Sequence, residues 1–378
     1  MKKLFLVVNE DVFFLSHRKN IALAAVENGY DVTIITHNSG KKSEIQNLGL
    51  KFIDLPINST GTNVFEEIYT FLFLIFIYLK EKPDLVHHVG LKTILWGGLA
   101  ARIVNKFPYV NAISGLGSCF NKDKKKSLKR IIITFILKII HVTQSSFIIF
   151  QNNEDKNIFL DNGIIKDNKV FYIKGSGVDL NGFKYIDEPK QVPLKIVFTG
   201  RMIKEKGVLI VIEAANLLKN KYEQKIQFLL CGDIHKNPSS LKKQELEALC
   251  DGNYIKWLGF CSDIKSILET CHIMVFPSYY REGLPKSIID AEAIGLPIIT
   301  TNSVGCKDTV VDGYNGYLIP KQNSQILAEK IEYLINNSQL RLQMRLNSRK
   351  FAEKNFSLQD VIQKHLDIYS IMLNNSSK

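Results

Sequence analysis

Residues Phe276–Ile299 read FPSYYREGLPKSIIDAEAIGLPII, and this stretch decides the fold. An apolar run, IMVFPS (273–278), halts at a polar turn. Pro285 then suits an early helical position, since its missing N–H is one that a first turn leaves unbonded. The next apolar run, LPIITT (296–301), resumes after a segment of helical length. Strand, helix and strand in that order make a βαβ unit and point to a parallel sheet.

The alternation extends both ways. Downstream of residue 194 the strand candidates are 195–200, 226–232, 254–259, 273–278, 296–301 and 316–320. Upstream they are 4–9, 31–36, 51–56, 85–90, 109–114, 147–150 and 170–175. His17–Asn28 carries Ile21, Ala24 and Ala25 on one face, so a helix is expected there, with Gly29 at its stop. YIDEPKQVP (185–193) is polar, holds two prolines and reads as a linker. The expected organisation is therefore two doubly wound α/β domains, 1–187 and 188–359. A last amphipathic helix in 360–378 returns to the first domain. Ligands of such sheets bind outside the carboxyl ends of the strands, so function is expected in strand-to-helix loops.

Composition agrees with two globular cores. The chain has 378 residues, 46% hydrophobic and 23% charged, which is more than one core usually serves. Only Asn374–Lys378 reads as a disordered tail. Six cysteines lie apart from one another, with no C-x-x-C pair, so reduced buried thiols and no structural metal are expected. The N-terminal LFLVVN run is too short for a signal peptide, and Ile68–Leu79 and Ile131–Ile140 are too short to span a bilayer. The formal charge is +12. Its densest part, KDKKKSLKR (122–130), runs into IIITFILKII; a basic segment beside an apolar helix favours an anionic membrane surface. A solvated lysine loop ahead of a core helix fits the same residues. No basic stretch interleaved with aromatics and no nucleic-acid motif is present, so nucleic acid is not an expected partner.

Two loops carry the chemistry. TGRMIKEKGV (199–208) leaves a strand at Gly200 and brings Arg201 and Lys206 to a helix N-terminus, an arrangement that binds diphosphate without a metal. Two solvated cations beside a turn give the same short pattern. In the second loop Glu282 precedes the helix and Asp290 lies one turn into it, where carboxylates can accept bonds from sugar hydroxyls; a helix cap and an exposed acid are the alternative. Glu292 points to another helix face.

Together TGR-x4-KG, WLGF (257–260), the 276–299 stretch and GYNGYLIP (313–320) resemble the retaining glycosyltransferases of family 4. The resemblance covers the chain and implies the GT-B fold, two Rossmann-like domains facing across a cleft. It implies that Arg201 and Lys206 neutralise a donor diphosphate and that Glu282 contacts the transferred sugar. It places Asp290, where the family has Glu, on the ribose. Gly200, Gly283, Leu284, Lys286 and Ser287 would line the donor site, and Gly259 and Phe260 would meet the nucleobase. FFLSHRKNIA (13–22) resembles a subset of the family that builds bacterial surface polysaccharides. It proposes Ser16, His17 and Arg18 for the reaction centre or an acceptor phosphate, with His88 and the SGLGS turn (Ser114, Gly115, Gly117) beside them. A capping serine with two solvated cations, and a packed core histidine, are the alternatives. The implied reaction needs no metal or cofactor. It moves a hexose or N-acetylhexosamine from a UDP-sugar to a polyprenyl-diphosphate-linked glycan at the inner face of the cell membrane. A UDP-sugar 2-epimerase and a non-catalytic binding module share the architecture.

Overall fold

The computed structural model describes residues 1–58, 61, 63–120, 127–235 and 239–376. Lys122–Lys126 of the basic run lie outside the described residues. The chain forms two compact units, residues 1–176 with 359–378 and residues 177–358.

In the first unit the strands are β1 Lys2–Glu10, β2 Tyr30–His37, β3 Lys51–Asp54, β4 Leu85–Val89, β5 Tyr109–Ala112, β6 Ser146–Phe150 and β7 Val170–Tyr172. They pair in parallel in the order β3-β2-β1-β4-β5-β6-β7. Its helices are α1 Asp11–His17, α2 Lys19–Glu27, α3 Lys42–Asn47, α4 Val64–Glu81, α5 Leu91–Thr93, α6 Leu99–Val104, α7 Leu128–His141 and α8 Asn153–Asp161.

The second unit has β8 Leu194–Thr199, β9 Ile226–Cys231, β10 Ile255–Gly259, β11 Ile273–Phe276, β12 Ile298–Thr301 and β13 Gly316–Ile319, all parallel in the order β10-β9-β8-β11-β12-β13. Helices α9 Val208–Tyr222, α10 Lys243–Leu249, α11 Ile264–Glu269, α12 Lys286–Ile294, α13 Ser324–Asn336 and α14 Ser338–Asn355 flank it, and α15 Leu358–Ser376 follows. Every run expected as a strand is one, because β-branched runs of four to eight residues between turn residues leave little other choice in a parallel sheet.

Boundaries differ from expectation where side chains decide them. The chain passes into the second unit at Gly177, ahead of Tyr185–Pro193. Arginines of α14 satisfy the carbonyls of this polar segment: Arg349 Nη1 donates to Phe183 O at 2.6 Å and Arg345 Nη2 to Ile186 O at 2.8 Å. Composition suggests a free linker, but these bonds fasten it to the second unit. β1 runs straight into α1 without a loop, because buried Asp11 accepts from Ser39 N and Lys41 N at 2.7 and 3.0 Å. The expected His17–Asn28 helix is α2, stopping before Gly29, and the short helix α1 precedes it with a break at Arg18. α15 completes the first unit: Val361, Ile368, Tyr369 and Met372 are buried in one core with Leu4, Leu6, Ile34 and Val89. It stays helical to Ser376, through most of the expected tail.

Candidate active site

The second unit has strand order 3-2-1-4-5-6, so the chain leaves β8 and β11 in opposite directions and opens a crevice at their carboxyl ends. Two loops meet there, Gly200–Gly207 after β8 and Pro277–Pro285 after β11. They are stitched together through one carbonyl, since Tyr279 N, Tyr280 N and Ser278 Oγ donate to Glu205 O at 2.9, 3.1 and 3.2 Å. Gly207 has φ +86°, and a Cβ there would stand 2.3 Å from Pro277 O. Only glycine permits both that backbone and that approach. Gly207 is also the N-cap of α9 and offers no side-chain cap, so the first-turn amides face outward from the loop.

The stitching brings Lys206 and Glu282 into contact. Lys206 Nζ donates to Glu282 Oε1 at 2.6 Å, and Ser278 Oγ, whose one hydrogen is shared with Glu205 O, lies 3.1 Å from the same oxygen. Both side chains of the ion pair are largely buried, and the ammonium also stands 5.2 Å from the Phe276 ring centroid. A charge pair sheltered from water holds its geometry and keeps its field. The pair lies over the buried Cys306 thiol, which burial first, and then Glu282, pushes up to about 12; it stays a neutral thiol. Arg201 is exposed one residue beyond Gly200.

α12 begins after Pro285 without a side-chain cap. Asp290 is buried one turn into α12 and forms an i,i+4 ion pair with Lys286. Burial raises the Asp290 carboxyl above its ordinary value, and Lys286 opposes the shift. Glu292 is wholly buried and accepts from Asn315 Nδ2 at 2.8 Å, so it takes no part in the crevice. Leu284 follows Gly283 at the end of the same loop. Its side chain packs in a satellite core with Val178, Ile289 and Phe356, which leaves only its backbone toward a ligand. At the neighbouring strand ends Gly232 N donates to Gly259 O at 2.8 Å, and Phe260 is exposed beside it. Gly283 is buried, while Ser287 is half-buried on the first turn of α12.

In the first unit the candidates separate. Ser16 lies in the last turn of α1, not at a helix start, and bonds Val12 O at 2.8 Å and His17 Nδ1 at 2.7 Å. The His17 ring stacks on Phe13 at 4.2 Å. Arg18 was expected as a solvated or ligand-facing cation, yet it is only 2% exposed. The α1–α2 break turns it inward, where Nη1 donates to His17 O at 3.0 Å and Nη2 to Ser114 Oγ at 3.5 Å. Burial lowers its guanidinium to about 10. Gly115 and Gly117 hold left-handed backbones in the turn after Ser114. Of the two readings of His88, a residue lining the site or a packed core histidine, the structure has the second, for it is fully buried. It donates through Nδ1 to Asn111 Oδ1 at 2.8 Å and accepts from Tyr78 OH at 2.9 Å. Gly97 lets the adjoining helix press on its ring, for a Cβ would lie 2.4 Å from it. Burial lowers the imidazole to about 4, so it is neutral at pH 7.

Known proteins match both units. The family described as Glycosyl transferase 4-like matches residues 3–152, and Glycosyl transferases group 1 matches residues 186–351. Over 96% of this chain and 99% of the relative, the sequence is 29% identical to the N,N'-diacetylbacillosaminyl-diphospho-undecaprenol alpha-1,3-N-acetylgalactosaminyltransferase of Campylobacter jejuni. It is 26% identical to the UDP-Gal:alpha-D-GlcNAc-diphosphoundecaprenol alpha-1,3-galactosyltransferase of Escherichia coli, over 92% of this chain and 90% of that one. A glycosyltransferase crystal structure from Rickettsia africae superposes with a TM-score of 0.79 over 99% of each chain at 22% identity. The chain belongs to the family 4-like GT-B glycosyltransferases.

In this glycosyltransferase the structure places Arg201, Lys206 and Glu282 on two adjoining loops of one domain, with Lys286 and Asp290 on α12, the helix that follows the second loop. It brings Arg18 to Ser114 and sends His88 elsewhere. Sequence reasoning missed Ser278 and the Glu205 carbonyl, which hold the Lys206–Glu282 pair. The signal for Ser278 was available: a serine directly after the FP that ends a buried strand sits at a carboxyl end. Nothing in the sequence marks a backbone carbonyl as a junction.

Proposed function

We propose that this glycosyltransferase moves a hexose or N-acetylhexosamine, with retention, from a UDP-sugar to a polyprenyl-diphosphate-linked glycan during surface polysaccharide assembly. The observation that carries it is the sheltered Lys206–Glu282 pair at the switch point of the second unit. Lys206 and Arg201, with the first-turn amides of α9 and α12, oppose the charge that grows on the departing diphosphate. Glu282, held at Oε1 by Lys206, contacts a hydroxyl of the transferred sugar in this reading. Asp290 and Lys286 act as one unit toward the ribose.

The bond from the anomeric carbon to the UDP oxygen breaks as the bond to the acceptor oxygen forms on the same face. The acceptor proton passes to the leaving phosphate oxygen. His88 is buried and hydrogen-bonded, which favours this route over a histidine base. Catalysis is then orientation plus stabilisation of the leaving group, without a metal. Both relatives are named for diphospho-undecaprenol acceptors and one for UDP-Gal, which supports the donor and acceptor classes. Among the described residues no helix is long and apolar enough to cross a membrane. We place the enzyme peripherally on the inner membrane face. A panel of UDP- and GDP-sugars against short-prenyl diphosphate sugars in detergent, followed by nucleotide release and product mass, tests the reading. UDP-sugar isomers formed without acceptor would replace it with epimerisation.

A further inference from the structure

Two helices of the first unit turn apolar faces to solvent. On α4 the exposed residues include Phe65, Ile68, Leu72, Phe76 and Leu79, a single helical stripe, and Phe65 is 84% exposed. The opposite face, Thr70, Leu74, Ile77 and Tyr78, is buried. Between Ile68 and Leu79 there is no charged residue. α7 repeats the pattern with Leu128, Ile131, Ile132, Phe135 and Ile139 exposed and Ile133, Leu137 and Ile140 buried. The two helices belong to one layer. Both pack on α6, their inner faces share one core with Ala100 and Ala101, and Ile103 of α6 is exposed between them. Isolated exposed apolar residues are ordinary, but contiguous stripes on neighbouring helices mark an interaction surface.

Charge identifies what covers it. Lys129 and Lys138 stand exposed among the apolar residues of α7, and Arg130 and Lys138 flank Phe135 along a groove of about 280 Å³. A second copy of the chain set face to face would either oppose these cations to one another or lay them on α4, which carries no carboxylate from Ile68 to Leu79 and has a further cation, Lys80, in its last turn, 5.8 Å from the Phe76 ring centroid. An anionic bilayer offers phosphate to the cations and hydrocarbon to the stripes.

We propose that the α4–α6–α7 face is a two-part membrane dock. α7 supplies electrostatic attraction to anionic headgroups, and α4 supplies insertion of an uncharged aromatic and aliphatic stripe. The inference rests on the membrane-side reading above but assigns its apolar half to α4, a helix outside the basic run that carries its own cation, Lys80, beside Phe76 in its last turn.

Vesicle co-sedimentation of the full chain separates the parts. Wild-type protein should bind phosphatidylglycerol-containing vesicles. The Leu72→Ser/Phe76→Ser pair, both exposed, should lower partitioning about tenfold at low and high salt alike. The Lys129→Gln/Lys138→Gln pair should weaken binding only at low salt, where headgroup attraction is unscreened. Circular dichroism and sugar transfer in detergent verify that each variant is folded. Unchanged partitioning of a folded Leu72→Ser/Phe76→Ser protein overturns the proposal. So does a lipid-free dimer that this pair dissociates, with vesicle binding retained. Failure of transfer to prenyl acceptors in detergent, with the vesicle results as expected, would instead remove the acceptor assignment and leave the dock standing.

Discussion

Both units have the same sheet order through six strands, yet they treat the polar residues at the switch point in opposite ways. In the second unit the loops after the first and fourth strands of its sheet, β8 and β11, present Arg201, Lys206 and Glu282 around a crevice. In the first unit the corresponding polar residues turn inward and satisfy one another. Tyr78, His88, Asn111, His141 and Ser146 form a buried chain of bonds of 2.9, 2.8, 3.4 and 2.7 Å. Asp11 spends its carboxylate on the Ser39–Lys41 backbone. A polar residue at a carboxyl strand end is therefore a site residue only where its partner lies on another loop at the mouth, not inside the sheet.

The contrast can be broken most directly at Lys206. Lys206→Ala should lower sugar transfer by about 10²–10³-fold, the range for losing a preorganised charge at a developing anion, with circular dichroism unchanged. Transfer near the wild-type rate would dissolve the contrast. His88→Ala is the mirror experiment. Leaving Tyr78 and Asn111 unpartnered around a cavity should cost about 2–4 kcal/mol of stability by denaturant unfolding, while kcat at 20 °C stays within about twofold. Ser278→Ala tests the support of the pair. Glu282 keeps Lys206 but loses its second tether, so transfer should fall by roughly fivefold, as for a single hydrogen bond of about 1 kcal/mol, with KM for the donor rising.

Acid should also distinguish the units. Burial lowers His88 to about 4 and His141 and His365 to about 3, and holds His87 well below its ordinary value. Between pH 6.5 and about 4 the unfolded chain binds protons that the folded first unit refuses, so that unit loses stability as pH falls through this window. In the second unit burial raises Glu292 and Asp290, and such groups lose stability as pH rises; acidification favours them. His272 shifts in the direction of the other histidines. Amide exchange at pH 7 and pH 5 should show protection lost in β4 and β5 before β8 and β9. Equal loss in both would contradict the assignment.

The strands were legible because a parallel sheet buries both faces and writes itself as apolar runs. The two loops of the crevice were legible because charge, glycine and proline occur there at fixed spacing. What sequence could not show was direction. SHR at the head of an apolar helix reads the same whether Arg18 faces water or the core, and the break that turns it inward depends on Asp11 bonding a segment 28 residues away. HH at a strand end likewise says nothing of Asn111 two strands' worth of chain later. The apolar runs of α4 and α7 were read as too short for a bilayer, which they are. Their exposure is a property of packing that no run length reports.

One feature bears on how the protein is made. The first unit is interrupted: its sheet takes α15 from the far end of the chain, and Tyr369 there bonds His87 Nδ1 at 2.7 Å. During vectorial synthesis the second unit, contiguous from Gly177 to Leu358, can finish while the first still lacks cover for Leu4, Leu6 and Ile34. A ribosome that stalls near the end of α14 thus holds a finished second unit attached to a first unit with an open flank, the form of this enzyme most in need of a chaperone.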